Sequence, residues 1–203
     1  MSIWDSIWPA LVGAIVGGAL TGYFALRATD KAHRQQMDLQ DDNRKKLING
    51  FLQAVHDEVE TLWESYQTGV GVQLEALSEG YALLMYYPVT QDYFTVYTTN
   101  GYLIGHVTDP DLRRLIVQVY SKARGLIDSY RMNNEFVGKI EHWQLMLSEG
   151  PNEHYQRNRD AYLNNAQQYA RRLRQSHDEL KQLTGQLLRS LRQMGVISKP
   201  VIR

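Results

Sequence analysis

The sequence predicts an all-α protein: an N-terminal transmembrane helix that continues into an elongated cytoplasmic helical bundle with a long antiparallel helix hairpin. Three observations lead to this prediction. Residues 7–26 carry no charge, apolar residues recur from Ile48 onward at alternating spacings of four and three, and two long helical patterns near the C-terminus are separated by a Gly-Pro turn.

The uncharged stretch Ile7–Leu26 reads IWPALVGAIVGGALTGYFAL. As a helix it would cover ~30 Å, which matches the hydrocarbon thickness of a bilayer. A cleaved signal peptide would need a basic n-region and an A-x-A-like cleavage site, but residues 1–6 carry only Asp5 as a charge and the stretch ends in YFALR. A buried core helix would carry a polar stripe, which is absent from the stretch. We therefore expect an uncleaved membrane anchor.

The flanks of this stretch predict its orientation. No Lys or Arg precedes it, whereas three basic residues follow within about two turns, so the positive-inside rule places the N-terminus outside and the rest in the cytoplasm. The expected location is the inner membrane, with a single pass. The predicted membrane-interface anchors are the aromatic and basic residues at the two ends of the span: Trp4, Trp8, Tyr23, Arg27 and Lys31.

Small residues recur inside the stretch at four-residue intervals. Such stripes let helix backbones approach closely in lipid, so they predict self-association. The alternative is that glycine is simply commoner in membrane helices. The predicted packing residues are Ala10, Gly13, Ala14, Gly17, Gly18 and Gly22. The expected partners are therefore the lipid bilayer and a second copy of the chain.

The chain divides into four parts by composition. Residues 1–29 form the anchor, the polar residues 30–46 form a juxtamembrane helical stalk, residues 47–197 form the cytoplasmic helical bundle, and residues 198–203 form a tail. The bundle begins with a heptad-spaced apolar seam, widened by Leu47 and Phe51. Its members are Ile48, Leu52, Val55, Val59, Leu62 and Tyr66.

The middle of the chain has the weakest helical pattern. Gly69 and Gly71 are expected to break the first helix, and residues 72–87 predict a shorter helix, interrupted near Gly80 and ended by Pro88. Residues 89–107 suit either a β-hairpin or a linker with short helical turns. We favour the linker, because an isolated hairpin is barely stable.

Two long helices follow. Thr108-Asp109-Pro110 is a strong helix start, residues 149–151 end that helix, and a second helix runs from about residue 153 to Met194 with Gly195 placed to stop it. Asn133 and Asn134 lie where the apolar stripe of the first of these helices passes. A buried Asn commonly fixes helix register, so we predict that role for both residues in the bundle.

No catalytic, cofactor-binding or metal-ligating residues are predicted. The chain has no cysteine, no P-loop or nucleophile-elbow motif and no Glu-x-x-His pair, and His56 with Glu60 alone makes a poor metal site. Acidic residues dominate positions 38–92, and basic residues dominate positions 152–203. We expect the two segments to neutralise each other rather than to leave a basic face, so nucleic acid is not an expected partner.

Residues 92–107, DYFTVYTTNGYLIGHV, and residues 112–134, LRRLIVQVYSKARGLIDSYRMNN, resemble a pattern in uncharacterised bacterial membrane proteins with one N-terminal transmembrane helix and a cytoplasmic helical domain. Some proteins of this architecture act as phage-defence effectors. The resemblance covers about a third of the chain beyond the anchor and transfers no functional residue.

Three functions stay open from the sequence. The first is a non-enzymatic effector that couples a cytoplasmic sensing or interaction domain to the membrane, as in antiviral defence. The second is a membrane-tethered scaffold for a cytoplasmic protein partner. The third is an enzyme with an unrecognised site between Tyr93 and His106, involving Tyr97 and Asn100.

Overall fold

The computed structural model describes the backbone of residues 3–89 and 93–196, and the side chains of the same ranges except 3–26 and 28. The chain divides into two compact units, Met1–Leu47 and Ile48–Arg203. All regular secondary structure in the described part is helical, as the sequence predicts.

The first helix, α1, spans Ile3–Tyr66. In the first unit its described side chains, from Arg27 to Leu47, are all exposed, as expected of a polar stalk. Among the residues that the structure describes, no helix is long and apolar enough to cross a membrane. The predicted span is described by its backbone alone. The side chains predicted to pack or anchor it lie outside the described ones: Trp4, Trp8, Ala10, Gly13, Ala14, Gly17, Gly18, Gly22 and Tyr23.

In the second unit α1 contributes the predicted seam to the core. Phe51, Leu52, Val55 and Val59 are buried, and Ile48, Leu62 and Tyr66 are half-buried against them. Leu47 is exposed instead of widening the seam. The predicted break at Gly69 and Gly71 is wrong, because the chain stays helical there. A π-helix, Gln67–Gly71, passes directly into α2, Val72–Ala76.

The helix predicted over residues 72–87 is largely wrong, because α2 ends at Ala76. At this end of α2 the Arg174 guanidinium donates to the carbonyl oxygens of Leu74 and Leu77.

A turn at Gly80, where φ is +83°, separates α2 from a stretch without helix or strand, residues 81–89, which we call the extended segment. Side-chain burial alternates along it, as in a strand that packs on one face: Leu83 is buried, whereas Leu84 and Tyr86 are more than half exposed.

The described part of residues 89–107 forms short helical turns, so the linker interpretation is confirmed. An α-helix, α3, spans Thr95–Asn100, and a 3₁₀-helix spans Gly101–His106. No strand occurs in the described residues of this segment.

The long helix hairpin has the predicted bounds. Helix α4 spans Pro110–Glu149 and α5 spans Glu153–Gln193. The Asp109 carboxylate accepts hydrogen bonds from the backbone N–H groups of Asp111 and Leu112, at 2.8 and 3.1 Å, and so caps α4. Gly195, at φ +69°, follows the end of α5.

Long-range contacts fix how α1 packs in the second unit. Tyr66 contacts His177, Glu60 pairs with Arg192, and Gln53 donates to the carbonyl of Val196, so this part of α1 runs antiparallel to α5. The pairing of Glu60 with Arg192, together with that of Glu75 with Lys181, joins the acidic segment to the basic one. This agrees with the expected mutual neutralisation.

Candidate functional site

A fully buried histidine connects three elements of the second unit. His177 lies on α5 with 0 % of its surface exposed. Its Nδ1 lies 2.8 Å from the Tyr66 hydroxyl at the end of α1, and its Nε2 lies 2.9 Å from a carboxylate oxygen of Glu75 on α2. The Tyr66 hydroxyl lies 3.1 Å from that of Tyr130 on α4. We call Tyr130, Tyr66, His177 and Glu75 the polar chain.

The outer end of the polar chain is strongly charged. One oxygen of Glu75, Oε1, faces Lys181 Nζ at 2.7 Å, His177 Nε2 at 2.9 Å and Gln67 Nε2 at 3.0 Å. Hydrogen bonds from Lys181, His177 and Gln67 lower the pKa of Glu75 to about 2. Gln67 is the first residue of the π-helix, an element that is frequent at functional sites.

The inner end of the polar chain is buried and uncharged. Burial, together with the neighbouring Tyr130, raises the pKa of Tyr66 far above its ordinary range, and burial raises the pKa of Tyr130 to about 12. A nucleophilic hydroxyl needs the opposite shift or a base that takes its proton. His177 and Glu75 therefore have the geometry of a catalytic dyad. The Tyr66 hydroxyl that His177 contacts, however, keeps its proton and is buried in the core.

An aromatic cavity of about 110 Å³ lies beside the polar chain. Tyr66 and Tyr130 belong to its wall, and the other walls come from α1, α4, α5 and the segment before α3. Its further aromatic lining residues are Trp63, Tyr87, Tyr93, Phe94 and Tyr120. Thr184 of α5 also lines the cavity; it is 2 % exposed and makes no hydrogen bond to the described residues.

One wall of the cavity is held in a strained conformation. Phe94 has φ +72°, which is uncommon for a residue with a side chain, and its ring meets that of Tyr120 edge-on at 5.4 Å. Glu58 of α1 stabilises this conformation. Its carboxylate accepts hydrogen bonds from Val96 N at 2.7 Å and from the Tyr120 hydroxyl at 2.7 Å. A carboxylate at this position also interacts favourably with the first turn of α3.

Asn133 and Asn134 hold the extended segment against α4. The Asn134 side chain forms two hydrogen bonds with the backbone of Tyr87, accepting from N at 3.0 Å and donating to O at 2.8 Å. Asn133, fully buried, donates to the carbonyl of Leu83 at 3.1 Å. Their described partners are thus backbone atoms of residues 83–87 rather than another helix, and their predicted role in register stays a prediction.

The residues proposed for an unrecognised enzyme site have packing contacts. Tyr97 stacks on Tyr120 with ring centroids 4.0 Å apart, and the Asn100 amide donates to the carbonyl of Val96 within its own helix. The structure does not bring them to the polar chain. Of the predicted membrane-interface residues whose side chains are described, Arg27 and Lys31 are both exposed.

His177 and Thr184 were not predicted as site residues, although the sequence carries a signal for both. Positions 173, 177, 180, 184, 187 and 191 alternate by four and three, so both polar residues occupy an otherwise leucine-filled heptad seam. Burying a polar residue without a hydrogen bond is costly, so a partner is expected at such a position. His177 has one, whereas Thr184 lines the aromatic cavity instead. The seam pattern by itself therefore marks His177 as a residue with a buried partner.

The described residues contain no group of three or more His, Asp and Glu side chains placed to hold a metal ion. Comparison with known proteins gave no match: no family model, no curated protein and no solved structure is significantly similar to this chain.

Proposed function

We propose that this protein is a non-enzymatic, single-pass inner-membrane protein that self-associates and couples its folded helical unit to the bilayer. The observation that carries the proposal is the twenty-residue uncharged stretch Ile7–Leu26 followed by basic residues. The stretch belongs to α1, the same helix that supplies the buried seam of the second unit. A change in how that unit packs would therefore be transmitted along α1 toward the anchor.

The chemistry of the polar chain supports a binding or sensing role over a catalytic one. Its hydroxyl groups have raised pKa values, and its carboxylate is held by three hydrogen-bond donors. Hydroxyl groups that keep their protons in this way are not activated as nucleophiles. The aromatic cavity beside them offers room for a ligand.

The first test concerns the membrane. After expression in bacteria, we expect the full-length chain to stay in the membrane pellet through a carbonate wash and to enter the soluble fraction with detergent. An external protease should leave the helical unit intact in whole cells and digest it in inverted vesicles. Release of the intact chain by carbonate, or digestion of the helical unit in whole cells, would contradict the proposed topology.

The second test concerns self-association and its consequence. In the proposed role as an antiviral effector, rearrangement of the oligomer perturbs the bilayer. Gly18→Leu adds bulk to the glycine stripe, so it should abolish both the crosslinked ladder in native membranes and membrane depolarisation on induction. Ala19→Leu is the matched control, since it adds the same side chain off that stripe. Depolarisation of normal size in Gly18→Leu, with the ladder lost, would contradict the mechanism.

A second candidate function is a membrane-tethered scaffold. The observation that favours it is the extended segment, where Leu84, Tyr86 and Tyr81 are between 51 % and 66 % exposed. Exposed apolar residues on an extended segment suit a protein partner. Inducing the gene alone discriminates between the two candidates: growth arrest with dye entry supports the effector, whereas normal growth supports the scaffold.

A further inference from the structure

The polar chain has a defined direction when His177 is neutral. The Glu75 carboxylate accepts hydrogen bonds and does not donate, so His177 Nε2 carries the proton and Nδ1 is left as an acceptor. The Tyr66 hydroxyl must then donate to Nδ1, which leaves its oxygen to accept from the Tyr130 hydroxyl. Each proton in the chain therefore points away from Tyr130.

The tautomer with the proton on Nε2 satisfies both ring nitrogens of His177, because Nε2 donates to Glu75 and Nδ1 accepts from Tyr66. The ring is completely buried and hydrogen-bonded at both nitrogens. Lys181 already supplies a cation to Glu75 at 2.7 Å. The His177 ring also packs against the rings of Trp63 and Tyr66, at centroid distances of 5.8 and 5.6 Å.

This direction leaves the Tyr130 oxygen as an acceptor at the inner end of the chain. A tyrosine hydroxyl has one proton and two acceptor lone pairs, and the Tyr130 proton is committed to Tyr66. Tyr130 lines the aromatic cavity, as does Thr184, whose hydroxyl makes no hydrogen bond to the described residues and can donate as well as accept. Because Tyr130 can only accept, a ligand that donates a hydrogen bond is favoured at this end of the chain.

We propose that the cavity binds a small, uncharged aromatic alcohol of the phenol class. The cavity volume of about 110 Å³ is smaller than the ~150 Å³ of an engineered apolar cavity that holds benzene, so the ligand can have no more than one ring. The aromatic walls pack on the ring, and the ligand hydroxyl donates to Tyr130. An anionic ligand is disfavoured, because the described lining contains no cationic residue. This proposal is independent of the membrane topology and of the effector role.

The test measures binding of phenol, anisole and benzaldehyde to the full-length protein in detergent at pH 8 by isothermal titration. Phenol alone of the three carries a hydroxyl donor, so we expect it to bind at least tenfold more tightly than the other two. Ala123→Leu fills the cavity wall and should abolish phenol binding, whereas Ala161→Leu on the exposed side of α5 should not. Equal affinities, or phenol binding that survives Ala123→Leu, would overturn the proposal.

A second variant keeps the proposal testable even if Ala123→Leu does not fold. Tyr66→Phe removes the acceptor for the Tyr130 proton, so that proton becomes available to the ligand. The preference should then shift from phenol toward benzaldehyde, which accepts a hydrogen bond but does not donate one. The ratio of their Kd values should change by at least tenfold in that direction. An unchanged ratio in Tyr66→Phe would show that the polar chain does not select the ligand and would overturn the proposal.

Discussion

The hydroxyl of Tyr66 lies 2.8 Å from Nδ1 of His177, although the two residues are 111 positions apart in the chain. This contact joins the end of α1 to the middle of α5, and through Glu75 it also holds α2. With Tyr130 of α4 at its inner end, the polar chain links four helical elements, and its loss should be measurable in stability as well as in ligand binding.

Tyr66→Phe should lower the free energy of unfolding by about 1–3 kcal/mol, because it leaves His177 Nδ1 buried without a donor. Urea denaturation of the full-length protein in detergent, followed by circular dichroism, measures this change. Tyr169→Phe is the control, since the Tyr169 ring packs against Phe136 and its hydroxyl makes no hydrogen bond to the described residues. Equal losses of unfolding free energy in the two variants would argue against a stabilising role for the Tyr66–His177 hydrogen bond.

Acid should weaken the folded unit through Glu75. The pKa of Glu75 falls from an ordinary 4.5 to about 2 on folding, so its contribution to stability is fully present above about pH 5 and is lost as the pH falls through 4.5 toward 2. Glu75→Gln should therefore reduce stability at pH 7 and flatten its decline below pH 5. Denaturation at several pH values tests this, with exposed Glu79→Gln as the control; a decline as steep as in the unmodified protein would contradict it.

Glu58→Ala should release the linker helix α3. The carboxylate accepts from the backbone of Val96 and Tyr97 and from the Tyr120 hydroxyl, so its removal leaves several donors without partners. We expect a loss of about 1–3 kcal/mol and faster amide hydrogen exchange at residues 94–100. Glu64→Ala, on the exposed side of the same helix, should change neither quantity. Unaltered exchange at residues 94–100 in Glu58→Ala would disprove this role of the Glu58 carboxylate.

Asn134→Asp should loosen the extended segment. The substitution removes the amide donor to the Tyr87 carbonyl and places a carboxylate against that oxygen. Chymotrypsin, which cleaves after aromatic residues that are not followed by proline, should then cut after Tyr86 several-fold faster in limited proteolysis. Asn164→Asp, exposed on α5, is the control. Identical cleavage rates in the two variants would mean that the Asn134 amide group does not hold the segment.

Local signals sufficed for the longest helices of the second unit. The Asp109 cap with Pro110 and the Gly-Pro turn at residues 150–151 fix their ends through groups a few positions away. Local signals gave the wrong prediction for residues 77–87. The apolar residues there have helical spacing, but the backbone forms hydrogen bonds with the Arg174 guanidinium and the Asn134 amide instead.

Sequence alone determined the helical class, the seam of α1 and the ends of the long hairpin, because each depends on periodicity and capping within one or two turns. Tertiary structure decided the extended segment, the strain at Phe94 and the polar chain. Those features depend on hydrogen bonds between residues 38 to 111 positions apart, such as Glu58 with Val96 and Tyr66 with His177. No local pattern in the sequence pairs side chains that far apart, so packing alone brings them together.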